Sequence, residues 1–176
     1  NETQRMAIKA DPTYGDASPQ AGMAGLAAAR AIGLLTYRGG SGYNASQQDE
    51  PETDGPAHRS HRACSYQRYQ GEKLCRRFNA YSYMSLLDSF DSHDIGRGRG
   101  GVKAALQRLG MPTIVIGISS DIVFSTAEMR QLSAMLPDAV YAEIDSPFGH
   151  DGFLVEHQQL NDLLYPFITS DHETDY

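Results

Sequence analysis

Tryptophan is absent from this chain of 176 residues, and cysteine occurs only twice, at Cys64 and Cys75. Two cysteines cannot build a disulfide framework, so the expected state is reduced thiols in a cytoplasmic protein. Cationic residues are outnumbered: 15 Lys and Arg stand against 22 Asp and Glu, for a net charge of -7. That balance lacks the broad basic face that non-specific nucleic-acid binding requires. It leaves room for a small anionic substrate, which a few local arginines can hold. No apolar run is long enough to cross a bilayer, so no membrane partner is expected. No signal-peptide pattern is visible either, because Asn1-Glu2-Thr3-Gln4-Arg5 is polar and is followed only by Met6-Ala7-Ile8. That opening reads as the continuation of a segment already under way. No internal repeat is visible.

What is present reads as a folded domain: 40% of residues are hydrophobic and 21% charged. Residues 9–21 are polar and turn-rich. Met23 to Tyr37 is rich in alanine and leucine, and Leu26, Ala29, Gly33 and Leu34 share the spacing of a mostly buried helix. Arg30 and Tyr37, seven residues apart, fall on one face of it. Residues 39–63 are nearly devoid of apolar side chains and predict a mobile loop. A helical pattern resumes over 66–90. A glycine-arginine loop follows, then a short helix over 102–109 ended by Gly110.

The last third changes character. Thr113 to Ile118 is a β-branched run suited to a buried parallel strand. Ser125 and Glu128 form a capping box that opens a helix. Ala139 to Ile144 predicts a second strand, a loop follows over 146–152, and a helix over 153–164. Strand, helix, strand, helix at this spacing is an α/β unit. The division expected is 1–12 as the end of a core segment, 13–110 as a helical lid with the mobile loop at 39–63, and 111–176 as α/β core.

Two loops could carry chemistry. Ser119-Ser120-Asp121 follows the first strand and Phe148-Gly149-His150-Asp151-Gly152 follows the second. Carboxyl ends of parallel strands are where open α/β sheets place ligands. A turn aspartate and a surface histidine are the plain alternatives for each residue alone. Together, at the same ends of adjacent strands, Asp121 could orient His150. Their order, acid before histidine, is that of α/β-hydrolases. The nucleophile of such a triad is missing. Gly39-Gly40-Ser41-Gly42-Tyr43 fails the Gly-x-Ser-x-Gly pattern at its fifth position, and no strand precedes it. The serine is therefore expected upstream of Asn1.

Three other patterns carry less. Gly96-Arg97-Gly98-Arg99-Gly100-Gly101 has dinucleotide-loop spacing but follows no strand. His58, His61 and Cys64 lack a fourth ligand, so no metal is expected. His93-Asp94 repeats the His150-Asp151 dipeptide but follows a helical pattern.

A family resemblance spans nearly the whole chain outside 39–63. It is carried by Gln4-Arg5-Met6-Ala7-Ile8-Lys9-Ala10-Asp11-Pro12, by Gly25-Leu26-Ala27-Ala28-Ala29-Arg30 with Thr36-Tyr37-Arg38, and by Tyr69-Gln70-Gly71-Glu72-Lys73. It continues in Arg77-Phe78-Asn79-Ala80-Tyr81-Ser82-Tyr83, Ser92-His93-Asp94-Ile95-Gly96-Arg97-Gly98-Arg99, Ser120-Asp121 and Gly149-His150-Asp151-Gly152-Phe153-Leu154. In these motifs the sequence resembles the homoserine O-acetyltransferases. The resemblance implies the C-terminal part of an α/β-hydrolase fold with an inserted helical lid, and a homodimer formed through that lid. It implies ping-pong transfer of an acetyl group from acetyl-CoA, as co-substrate, to the hydroxyl of homoserine in methionine biosynthesis, with no permanently bound cofactor. Asp121 would match the triad acid and His150 the base. Arg30 would match the residue that binds the substrate carboxylate, with Tyr37 beside it, and Asp151 the one that holds the substrate amine. Without its serine this chain alone is expected to be inactive. Succinyl-CoA as donor, serine as acceptor, an esterase of the same fold, and a non-catalytic lid or dimerisation module remain as alternatives.

Overall fold

The computed structural model describes residues 1–48 and 61–170. Among them the order is α1 (Glu2–Lys9), α2 (Met23–Tyr37), α3 (Gly40–Ser46), α4 (Arg62–Cys75), α5 (Ala80–Ser92), α6 (Val102–Leu106), β1 (Thr113–Ile118), α7 (Thr126–Met135), β2 (Ala139–Ile144), a 3-10 helix (Gly149–Leu154) and α8 (His157–Thr169). The chain divides into two compact units, residues 1–36 with 43–93, and residues 37–42 with 94–176. No helix of the described residues is long and apolar enough to cross a membrane. Cys64 and Cys75 are free thiols.

Among its described residues, the regular elements of the first unit are all helices, joined by turns. Its core gathers Ile8 of α1, Leu26 and Ala29 of α2, Leu74 of α4, and Ala80 and Met84 of α5. Small residues let these helices meet backbone to backbone. A Cβ on Gly25 would stand 2.6 Å from the Ala7 carbonyl oxygen, and one on Gly71 would stand 2.7 Å from that of Ala27. Polar groups are paired on the same scaffold. Arg5 donates to Asp88 at 2.8 Å and to Asp91 at 2.6 Å. Asp11 accepts from the Gly25 amide at 2.8 Å and the Thr13 amide at 2.9 Å. Its carboxyl is held below the ordinary value of 3.8, first by the Gly25 N–H and then by the Thr13 hydroxyl and amide.

The second unit contains the sheet. β1 and β2 pair in parallel, with Thr113 opposite Ala139 and Ile118 opposite Ile144. Parallel neighbours need a crossover, and α7 provides it. The expected capping box is formed: Ser125 accepts from the Glu128 amide, and the Glu128 carboxylate accepts from the Ser125 amide. Val115, Ile118 and Ile144 are buried.

Some elements depart from the sequence reading. The pattern over 66–90 is two helices, because the Asn79 side chain accepts from the Ser82 amide and starts α5 afresh. Residues 40–46 of the expected loop form α3, while residues 49–60 lie outside the described set. Helix formation there rests on a tertiary contact: a Cβ on Gly39 would lie 2.2 Å from the Pro147 carbonyl oxygen, and the Gly42 amide donates to that oxygen at 3.2 Å. The last helix begins at His157, after the 3-10 turn, and runs to Thr169. Residues 1–12 fall in the helical unit and 94–110 in the sheet unit, a partition different from the one expected. Ile8 is the reason at the first boundary, since it is wholly buried in the helical core.

Candidate active site

β1 and β2 end in register, and the ladder extends one step further, with the Ser119 amide donating to the Ile144 carbonyl at 3.0 Å. Beyond that step both strands open into loops at the same edge. Asp121 lies in the first loop. Its Oδ1 accepts from the Val123 amide at 2.7 Å and the Phe124 amide at 3.1 Å. Both the turn role and the paired role expected of Asp121 are thus filled by one carboxylate, one oxygen each.

The other oxygen, Oδ2, lies 2.9 Å from Nδ1 of His150. The Asp121 side chain is only 4% exposed, whereas that of His150 is 26% exposed. A buried carboxylate at Nδ1 places the neutral imidazole's proton on that nitrogen, leaving the Nε2 lone pair available as a base. Three aromatic rings surround the imidazole. Phe124 and Phe153 meet it edge-on, with centroids at 5.3 and 5.5 Å, and Tyr37 lies at 5.8 Å.

The histidine loop needs its glycines. Gly149 has φ +65°, a left-handed conformation that a side chain rarely adopts. A Cβ there would also stand 2.4 Å from the Gly39 amide nitrogen. Residues 37–39 therefore run directly against the turn that carries His150, which explains why Tyr37 belongs with the histidine.

Asp151 is not a solitary carboxylate. Its Oδ2 lies 2.8 Å from Nε of Arg38, both side chains being about one-quarter exposed on average (21% and 30%). Arg30 lies on α2 in the helical unit, half-buried. Ser41 sits exposed in α3, which follows another helix and not a strand. Asp94, beside His93, spends its Oδ1 on the Gly96 amide at 2.8 Å, within its own turn. No cluster of metal-ligating side chains occurs among the described residues, and His58 lies outside them.

Sequence reasoning passed over Arg38, Ser120, Phe124 and Phe153 as individuals. Arg38, Ser120 and Phe153 stood inside the motifs of the resemblance but had no role of their own assigned. Phe124 carried no signal beyond standing three residues after Asp121.

No family model matches the chain. Individual relatives do. A homoserine O-acetyltransferase of Cyclobacterium marinum is 47% identical over 169 residues, covering 95% of this chain and 46% of the relative. One from Thermus thermophilus is 42% identical over 171 residues, covering 96% of this chain and 41% of the relative. The chain thus spans about half the length of the curated relatives it matches. Among solved structures, a homoserine O-acetyltransferase from Bacillus anthracis superposes with a TM-score of 0.83 at 18% identity, over 96% of this chain and 48% of that one. The esterase E22 superposes with a TM-score of 0.80 at 15% identity, over 95% of this chain and 48% of that one. These two likenesses speak for the fold, which is part of an α/β-hydrolase fold. Over nearly its whole length, this chain is similar in sequence to about half of each of these homoserine O-acetyltransferases, and its structure is part of an α/β-hydrolase fold.

Proposed function

We propose that this chain provides the acid, the base and part of the acceptor site of a homoserine O-acetyltransferase. The observation that carries the reading is the contact of 2.9 Å between Asp121 and His150 at the ends of paired parallel strands, in a chain 47% identical to an enzyme of that name. The nucleophilic serine belongs to sequence this chain does not contain. It attacks the acetyl-CoA thioester while His150 Nε2 takes its proton, and the imidazolium returns that proton to the departing thiolate. His150 then takes the proton of the homoserine hydroxyl as that oxygen attacks the acyl-enzyme, and the imidazolium returns it to the serine oxygen as the serine–acyl bond breaks and O-acetylhomoserine leaves. Asp121 stays ionised throughout and stabilises the imidazolium.

Homoserine is a zwitterion, and its two charges suit the remaining assignments. A guanidinium binds a carboxylate through two parallel hydrogen bonds; Arg30 takes this role, and Tyr37 stands with it by the motif they share. Asp151 takes the ammonium, which would join the carboxylate already held by Arg38. The aromatic rings at His150 limit water, the competing acceptor. The protein works as a cytoplasmic homodimer joined through its helical part, in methionine biosynthesis. No bound metal or permanent cofactor enters this scheme.

The test is product analysis of the full-length protein supplied with acetyl-CoA or succinyl-CoA, and with homoserine or serine. O-acetylhomoserine as the main product supports the reading. Acylation of serine alone, or a succinylated product alone, refutes it. The structural likeness to an esterase favours one rival, hydrolysis without an amino-acid acceptor. That rival predicts acetate release at a rate indifferent to homoserine.

A further inference from the structure

In the turn that leads from β2 to His150, the backbone amides of residues 146–149 are held by serine hydroxyls. The Ser146 amide donates to Ser119 Oγ at 3.1 Å, the Phe148 amide to Ser146 Oγ at 3.2 Å, and the Gly149 amide to Ser120 Oγ at 2.9 Å. Residue 147 is proline and has no amide hydrogen. Every N–H of residues 146–149 therefore ends on a serine oxygen. Ser119 also donates to Asp145 Oδ1 at 2.7 Å, and Ser120 donates to the Ser146 carbonyl.

Ser120 differs from the other two. Its one hydroxyl joins both ends of the turn, accepting at residue 149 and donating at residue 146. It precedes Asp121 directly, and its acceptor bond reaches the residue directly before His150. Acid and base are thus linked twice: through their own side chains, and through Ser120 and the Gly149 amide. A single bond between two mobile loops fixes a distance; two bonds at neighbouring positions also fix an angle.

We propose that Ser120 is a positioning residue for the base, setting the orientation of the His150 ring against Asp121 and hence the direction of its Nε2. Ser120 is not the missing nucleophile, because its proton is donated to the Ser146 carbonyl and not to the imidazole. This inference builds on the acyl-transfer reading, but its geometric content stands apart from the choice of donor or acceptor.

The experiment compares wild type, Ser120→Ala and Ser120→Thr in the full-length protein. Alanine strips the Gly149 amide and the Ser146 carbonyl of their common partner; threonine keeps the hydroxyl. A ring displaced by about 1 Å loses on the order of a hundredfold in rate, so kcat of the alanine variant should fall about tenfold to a hundredfold. KM for homoserine should stay within about twofold, because Ser120 does not touch the acceptor on this view, and threonine should recover most of kcat. In parallel, the Nδ1–H proton signal of His150 should move upfield and broaden in the alanine variant and return in the threonine variant. The proposal is overturned by an alanine variant with unchanged kcat and an unchanged imidazole signal. It is overturned equally by a loss of activity that only tracks a loss of folded protein and is not relieved by threonine. If wild type forms no acyl-enzyme from CoA thioesters, the acyl-transfer reading fails, and the imidazole signal still decides the role of Ser120.

Discussion

The helical unit and the sheet unit use polar side chains for opposite purposes. In the helical unit charged groups tie helices together: Arg5 reaches Asp88, Asp91 and Glu2, all within 3.2 Å. Around these ties, glycine-mediated contacts bring backbones within van der Waals range. In the sheet unit, neutral hydroxyls tie loop backbone to loop backbone, and one buried carboxylate is left to face an imidazole. The first arrangement resists unfolding. The second fixes the direction of an imidazole ring. Damage to the core of the helical unit should therefore appear as lost stability, and damage to the strand-end loops as lost chemistry in a protein that still folds.

The sharpest separation is expected from Asp121→Asn. The amide keeps the shape but offers an N–H to Nδ1, which moves the imidazole proton to Nε2 and removes the base. Acyl transfer by the full-length protein should drop on the order of ten-thousandfold, with a melting temperature near that of wild type. A variant that unfolds instead would break the comparison, because Asp121 would then be a structural carboxylate first.

Leu26→Ala addresses the other side. Leu26 is wholly buried in the helical core, and alanine preserves helix propensity, so the loss is one of packing alone. Denaturant unfolding should show a cost of about 2–5 kcal/mol. Activity per folded molecule should change little, and a selective fall in kcat at unchanged stability would contradict the division of labour.

Acid provides the smallest effect. The carboxyls of Asp11 and Asp91 both sit below the ordinary value of 3.8, Asp11 chiefly through the Gly25 amide and Asp91 chiefly through the Asn1 side chain and then Arg5. Groups depressed in the folded state stabilise it above their unfolded pKa, and that contribution fades as pH falls through the folded value. Melting temperature should thus decline below about pH 4, and Asp11→Asn should flatten that decline while lowering stability at neutral pH. A pH profile unaltered by the substitution would show that Asp11 binds its amides without energetic consequence.

Much of the fold was legible because hydrophobic period survives in local sequence. The spacing of Leu26, Ala29, Gly33 and Leu34 gave α2 its limits, and the β-branched run gave β1. Residues 40–46 were not legible. Their glycines argue for loop on propensity, and a contact with the Pro147 carbonyl, about one hundred residues away in sequence, is invisible to local pattern. The site divides in the same way. Asp121 and His150 could be named from their positions after successive strands. The Arg38 contact to Asp151 could not, since nothing local in either residue points to the other.

By itself, then, the sequence determined most of the helix and strand pattern, the two loops that bring Asp121 and His150 together, and the family resemblance. Each rests on residues close in the chain or on motifs read in order. The tertiary structure alone decided that Asp121 divides its two oxygens between a turn and the imidazole, that Asp151 is already paired, and that serine hydroxyls hold the histidine turn. Those are facts of direction, and direction at a strand end is set by which distant backbone groups lack a partner until the loops meet.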